Sequence, residues 1–241
     1  MQETLSRESN DPTEHRDEFL ALVSHELRTP IMVILGWVEL LDHKPADQLS
    51  VAQAVNVIKR NAQLQAQLID ELMDYSRIST NQFSLTICRV ALGPIIKAAV
   101  EALMPMARKK LIDIELELDA LESEMEGDGL RLQQVVLNLL ANAIKFTPGG
   151  GRVKVKLETS DIHHQIIVSD TGAGISAEFL PFIFDRYRQA NPATAPGGLG
   201  LGLTIAHHLI ELHGGTIKAN SGGVGQGAVF TVQFPRKQSG Q

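Results

Sequence analysis

One cysteine, Cys88, stands in 241 residues, which excludes an internal disulfide framework and fits a reducing compartment. Long hydrophobic runs are missing too. The longest wholly uncharged apolar stretch, Ile31 to Val38, is far too short to cross a bilayer. The first residues are polar and charged, which predicts no signal peptide. Lysine and arginine form no cluster, and the net charge is −6, which argues against nucleic acid or a membrane surface as a partner. There is no internal repeat and no low-complexity segment. With 44% hydrophobic and 21% charged residues, the chain has an ordinary globular composition and enough length for one or two domains with a sizeable core. A soluble, cytoplasmic protein is the expectation.

What is present falls into two halves. Residues 1–13 are polar and read as a linker. A helical pattern then runs from about Glu14 to Asp42, breaks at His43 to Asp47 around Pro45, and resumes from about Ala46 to Ile78. In the second helix Val51, Val55, Ile58, Ala62, Ile69 and Leu72 make a packing seam at three/four spacing. A lone hairpin buries too little, so the pattern predicts pairing into a dimeric four-helix bundle. After residue 80 the composition changes. A helix is expected in "ALGPIIKAAVEALMPMARKK", with Pro105 bending or ending it, and a strand in "IDIELEL". A helix capped by Asp128 is expected in "GDGLRLQQVVLNLLANAIKFTPGG", then strands in "RVKVKLE" and "HHQIIVSD". A helix near Ala177 to Phe184, a loop over 189–198, a helix from about Leu199 to Leu212 and two closing strands complete the chain. This order predicts an α/β sandwich with one sheet and helices on one face.

On a helical wheel at roughly 100° per residue, His25 lies opposite the apolar stripe of Phe19, Leu20, Val23, Leu27, Ile31, Ile34, Trp37, Val38 and Leu41. It therefore faces away from the core, with small or modest neighbours at Ala21, Thr29 and Gly36. A solvated surface histidine would look the same. Glu26 can bond one ring nitrogen and leave the other a better nucleophile, and Thr29 places a hydroxyl one turn on. Pro30 removes a helical hydrogen bond to residue 26.

The helix from Arg131 to Phe146 is mostly apolar, but Arg131, Gln134, Asn138, Asn142 and Lys145 fall on one line. That line bears no acid. Its asparagine oxygens suit a hard cation and its waters, and the lysine suits phosphate charge, although an ordinary wet helix face is the simpler reading. "VSDTGAGIS" ends a strand at Asp170, whose carboxylate could accept from an amine such as that of adenine, and Gly172 and Gly174 allow close backbone approach. In "PGGLGLGLTIAHHLIELHGG" four glycines lead into an apolar helix, so free N–H groups and the helix dipole can cradle phosphates. No Gly-Lys-Ser/Thr follows, which excludes a Walker-type loop, and the context does not suit a Rossmann turn.

Taken in order, these motifs resemble the catalytic core of a two-component sensor histidine kinase of the hybrid or multi-sensor style. "SHELRTP" is similar to the phosphoacceptor box, "NLLANAIKFTP" to the asparagine box and "DTGAGI" to the first glycine box. "FIFDRYRQ" is similar to the phenylalanine box and "GGLGLGL" to the second glycine box. The resemblance spans roughly residues 15–236. It implies a dimerisation and phosphotransfer domain at 14–80 and an ATP-binding domain of the gyrase and histidine-kinase type at 81–241. It also implies a protein-histidine kinase that uses ATP and Mg²⁺, forms a homodimer through the hairpin and phosphorylates an aspartate on a response-regulator receiver domain. By position His25 would be the phosphoacceptor, Glu26 its orienting or base partner, and Thr29 the residue for dephosphorylating the receiver. Asn142 would hold Mg²⁺, Asn138 would support the site and Lys145 would lie near the phosphates. Asp170, with Gly172 and Gly174, would read adenine. Gly198, Leu199, Gly200, Leu201 and Gly202 would wrap the triphosphate. Of Arg186 and Arg188, Arg188 is favoured as an aid to transfer, and Thr231 is placed near adenine. Pro196-Gly197-Gly198 departs from the small residue and threonine-glycine that many members carry before the second glycine box. The alternatives are a plain ATPase clamp, which leaves "SHELRTP" unexplained, and a non-catalytic dimeric docking scaffold.

Overall fold

The structure, a computed structural model, describes residues 12–43, 48–80, 82–118, 123–185 and 199–236. The chain divides after Asp70 into two compact units, with Leu199 grouped with the first. Each is built on its own logic.

The first unit is a helical hairpin of α1 (Pro12–His43) and most of α2 (Gln48–Ser79). The helix α1 runs unbroken through Pro30, so the hydrogen bond lost there does not interrupt it. Within the hairpin Val23, Ala54 and Leu68 are buried. Leu20, Ile31, Leu35 and Val38 of α1 and Val51, Val55 and Ile69 of α2 remain exposed. An apolar surface of that extent on two helices is more than one hairpin can cover by itself.

The second unit is a five-stranded sheet with three helices on one face. Its strands are β2 (Asp113–Leu118), β4 (Arg152–Thr159), β5 (His163–Asp170), β6 (Thr216–Asn220) and β7 (Ala228–Pro235), in the order β2-β4-β5-β7-β6. Only β2 and β4 run parallel. Alternation decides the faces. Val153, Val155, Leu157, Ile166, Val168, Phe230, Val232 and Phe234 are buried and point to the helices. The opposite face is polar, with Lys154 held 2.6 Å from Glu117 and 3.2 Å from Glu115.

The helices are α3 (Leu92–Lys109), α4 (Gly129–Phe146) and α5 (Gly202–Leu212). The central one, α4, buries Leu132, Val135, Val136, Leu139, Leu140, Ala143 and Ile144. Each of the six larger side chains contributes roughly 1.5–3 kcal/mol of apolar burial, which makes this helix the anchor of the core. As expected, Asp128 caps it, its carboxylate accepting from the N–H groups of Leu130 and Arg131. Burial works to raise the Asp128 pKa, but these bonds and one from Thr86 N outweigh it and hold the carboxyl below its ordinary value.

Three expectations need correction. The helix α3 does not end at Pro105 but continues to Lys109. Glu101, whose carbonyl Pro105 leaves without a helical donor, is exposed, so water can satisfy it. The segment Ala177 to Phe184 is not an α-helix but a single 3-10 turn, Leu180–Phe182, because Pro181 removes a donor and the bonds close over three residues. A small second sheet also forms where no strand was expected, β1 (Cys88–Ala91) against β3 (Glu124–Gly127).

Turn geometry then brings the end of α3 to the end of α4. The N–H of Leu111 bonds to Arg108 O at 3.0 Å and that of Ile112 to Ala107 O at 2.9 Å, a Schellman stop. Leu111 takes the left-handed position, φ 57°, where glycine is usual.

Candidate functional site

In the hairpin unit, the His25 side chain is 77% exposed, and its Nδ1 lies 3.5 Å from Glu26 Oε1. The carboxylate thus stands at one ring nitrogen and leaves Nε2 open to solvent. One turn on, the Thr29 hydroxyl donates to His25 O at 3.0 Å and keeps its lone pairs outward.

In the sheet unit, the site grows from the end of β5. The register pairs Asp170 with Ala228, and Asp170 Oδ1 accepts from Gly172 N at 2.8 Å and Ala228 N at 3.3 Å. Among the described residues nothing bonds its second oxygen. Burial pushes the Asp170 pKa up, and the two N–H bonds only partly oppose that. A half-buried carboxylate with one oxygen fixed and the other vacant is an acceptor waiting for a donor.

The glycines around it have distinct reasons. A Cβ on Gly172 would come within 2.6 Å of Phe146 O, and one on Gly174, φ 67°, within 2.1 Å of Gly223 O. The loop 170–174 is pressed backbone to backbone, against the end of α4 on one side and the turn 221–227 on the other. Ala173 N donates to Phe146 O at 3.1 Å, Gly225 N to Ala173 O at 2.6 Å and Gly227 N to Gly172 O at 3.1 Å.

The polar line of α4 splits in two. Arg131 and Gln134 are both held by Asp74. The guanidinium pairs with the buried Asp74 at 3.0 Å, Gln134 Nε2 donates to the same carboxylate at 2.7 Å, and Phe83 lies under the guanidinium at 4.7 Å. Farther along, Asn138 reaches the second glycine box. Asn138 Nδ2 donates to Gly202 O at 2.9 Å, tying α4 to the first residue of α5. The Asn142 side chain makes no hydrogen bond among the described residues, and Lys145 Nζ lies 5.2 Å from the Phe146 ring. Leu199 and Leu201 are buried while Gly200 between them is exposed, with φ 69°. No side chain caps α5, so its first N–H groups and its dipole are available to an anion.

Thr231 is not part of this arrangement. It pairs with Ile167, one step out of phase with Asp170, and so projects from the opposite, polar face of the sheet. Arg188 and Gly198, and with them Arg186 and the expected loop at 189–198, lie outside the described residues. Three contributors were not picked out in the sequence. Gly227, φ 68°, would place a Cβ 2.0 Å from Asp170 O. Ser221 Oγ accepts from Ile175 N at 3.0 Å and donates to Gly227 O at 2.6 Å. Thr204 Oγ1 reaches the carbonyls of Phe184 and Asp185 at 3.2 and 3.3 Å, pinning the first half of the phenylalanine box to α5. The glycine run Gly222 to Gly227 was the visible signal for the first two. The third had none.

Comparison with known proteins covers both units. Residues 15–81 match the His Kinase A (phospho-acceptor) domain, and residues 127–238 match the histidine kinase-, DNA gyrase B- and HSP90-like ATPase. Hybrid signal transduction histidine kinase D of Dictyostelium discoideum is 35% identical over 94% of this chain, which spans 18% of that protein's length. The full-length ShkA structure in complex with AMPPNP superposes with a TM-score of 0.69 at 26% identity, covering 93% of this chain and 47% of ShkA. The histidine kinase ThkA, solved in complex with the response regulator protein TrrA, gives 0.67 at 26% identity, covering 93% of this chain and 65% of ThkA. No helix among the described residues is long and apolar enough to cross a membrane.

Proposed function

The chain belongs to the histidine kinases, with a phospho-acceptor domain and an ATPase domain in one polypeptide, and from that premise we propose that it moves the γ-phosphoryl group of ATP to its own His25 and then to an aspartate of a receiver protein. Residues 14–80 serve as the dimerisation and phosphotransfer domain and 81–241 as the ATP-binding domain. The single observation that carries this reading is His25 itself. A ring 77% exposed on a helix, with a carboxylate 3.5 Å from one nitrogen, is not a core residue, and that placement supports a role as nucleophile.

The Nε2 lone pair attacks the γ-phosphorus as the bond to the bridging oxygen breaks, and that electron pair leaves with ADP. The imidazolium so formed holds its Nδ1 proton toward Glu26, which stabilises the developing positive charge. Asp170 accepts from the exocyclic amine of adenine through its vacant oxygen. The uncapped start of α5, with Gly200 and Gly202, receives the phosphates. The residues present fit Mg²⁺. No group of three or more His, Cys, Asp or Glu able to hold a metal occurs among the described residues, whereas Asn142 offers a free amide oxygen. That suits a hard ion bound mostly through substrate phosphates. Asn142 would hold it, and it supplies neutralisation of phosphate charge when bound.

The exposed apolar residues of α1 and α2 suit pairing with a second copy into a four-helix bundle. Thr29, its hydroxyl hydrogen already directed to His25 O, keeps lone pairs that can orient a water for dephosphorylating the receiver.

Labelled ATP tests the reading. Label on the protein that is acid-labile, base-stable and absent in His25→Gln is the expected result. ATP hydrolysis without protein label would favour the ATPase clamp, and neither would favour the scaffold.

A further inference from the structure

The end of α4 poses an accounting problem, since its last carbonyls have no helical donors. Thr147 N closes on Ala143 O at 3.0 Å, and Phe146 O takes Ala173 N at 3.1 Å from the Asp170 loop. All the remaining terminal carbonyls go to one side chain. Lys110 Nζ lies 2.7 Å from Ile144 O, 2.9 Å from Lys145 O and 2.8 Å from Thr147 O. An ammonium has three N–H donors, and here all three are used. Its positive charge also sits where the helix dipole is negative.

Lys110 reaches this place because the Schellman stop of α3 turns the chain there, and Leu111 accepts a left-handed backbone to allow it. The consequence runs into the site. The last turn of α4 bears Lys145, with Asn142 one turn back. The carbonyl between those that Lys110 holds is the one that receives the Asp170 loop. Gly172 packs so closely on Phe146 O that the loop cannot shift without the helix end.

We propose that Lys110 is a positioning residue of the nucleotide site: by fastening the end of α4 it fixes Asn142 and Lys145 against the loop that carries Asp170. It touches no reacting atom. The proposal rests on the ATP reading of the site and adds a residue from outside every motif of that site.

The test uses the full chain. ADP affinity is measured by calorimetry at 10 °C in Lys110→Met, Lys110→Arg and, as a control, Lys109→Met, whose side chain is exposed. Lys110→Met is expected to weaken ADP binding about tenfold through misplacement of the site. Lys110→Arg, whose guanidinium can still donate to several carbonyls, is expected to recover most of that loss, and Lys109→Met to bind as the parent does. In turnover the Met variant raises KM for ATP and leaves kcat at saturation within about twofold, which a general loss of folded protein would not do. Hydrogen exchange at Ala173 N–H is expected to quicken in the Met variant and not in the control. A Met variant that melts earlier yet binds ADP as the parent does overturns the proposal. If the Met variant does not fold, parent-like exchange at Ala173 and loss of binding in Lys110→Arg would overturn it as well. A parent protein that binds no ADP would refute the ATP reading itself, and the role of Lys110 would fall with it.

Discussion

Replacing Asp170 by asparagine separates function from stability at one atom. Oδ1 accepts from two backbone N–H groups, and the second oxygen is vacant. An amide must place its NH₂ either toward the ligand's amine or toward those N–H groups, so one donor meets another in either orientation. A hydrogen bond to a charged acceptor is worth about 1.5–3 kcal/mol. At about 1.4 kcal/mol per tenfold, ADP binding should weaken by roughly 10- to 150-fold. The unliganded fold should respond the other way. The Asp170 pKa is raised in the folded state, chiefly by burial, so the folded protein binds its proton more tightly than the unfolded chain does. Above the folded pKa both states are ionised and the fold bears the whole desolvation cost. As pH falls through the folded pKa the proton is taken up first by the folded state, and that cost is relieved. Asp170→Asn should therefore raise the melting temperature at neutral pH, and its advantage should shrink as pH approaches 4. Calorimetry for ADP and thermal melts of the free protein from pH 4 to 8 measure both. Parent-like ADP affinity would refute the assignment of Asp170 to the base. A lower melting temperature with no pH trend would refute the electrostatic argument.

Leu111→Gly should stabilise the protein by about 1 kcal/mol, because a leucine at φ 57° bears a steric cost that glycine lacks, less the extra freedom glycine gains when unfolded. In a chain of this length that is a rise of about 2–4 °C, and a fall would mean that the turn is not under strain. Gly227→Ala should abolish ADP binding, since its Cβ would lie 2.0 Å from Asp170 O, whereas Gly225→Ala, at φ 80° with nothing within 4 Å, bears only the left-handed backbone cost and should weaken binding far less. Equal losses at the two positions would show that backbone conformation alone decides, and not proximity to Asp170.

Much of the fold was legible because it is written in local periods. The stripe opposite His25 placed that ring on the surface, where it stands 77% exposed. The alternation in "RVKVKLE" and "HHQIIVSD" marked β4 and β5, and Asp128 before "GLRLQQ" marked the start of α4. The close backbone approach beside Asp170 was legible in the glycines that follow it, since a Cβ at Gly172 or Gly174 would collide with main chain. Other parts were not. "CRVA" and "EMEG" are too short to show a period, and each becomes a strand only because the other lies beside it. Ala177 to Phe184 has apolar spacing fit for a helix, but Pro181 and its short length favour tighter bonding.

By itself the sequence determined the two-part plan, the exposed histidine, the capped apolar helix with its polar line and the glycine boxes, since each depends on neighbours within a few turns. Only the tertiary structure decided how the polar line of α4 is divided, because Asp74, which claims Arg131 and Gln134, lies 57 and 60 residues away along the chain. Thr231 was set on the far face by strand register, a property of pairs of strands and not of either alone. Lys110 and Lys109 are alike as letters. One is exposed, and the other caps a helix whose end lies 34 to 37 residues downstream, because folding brings three bare carbonyls within reach of one ammonium.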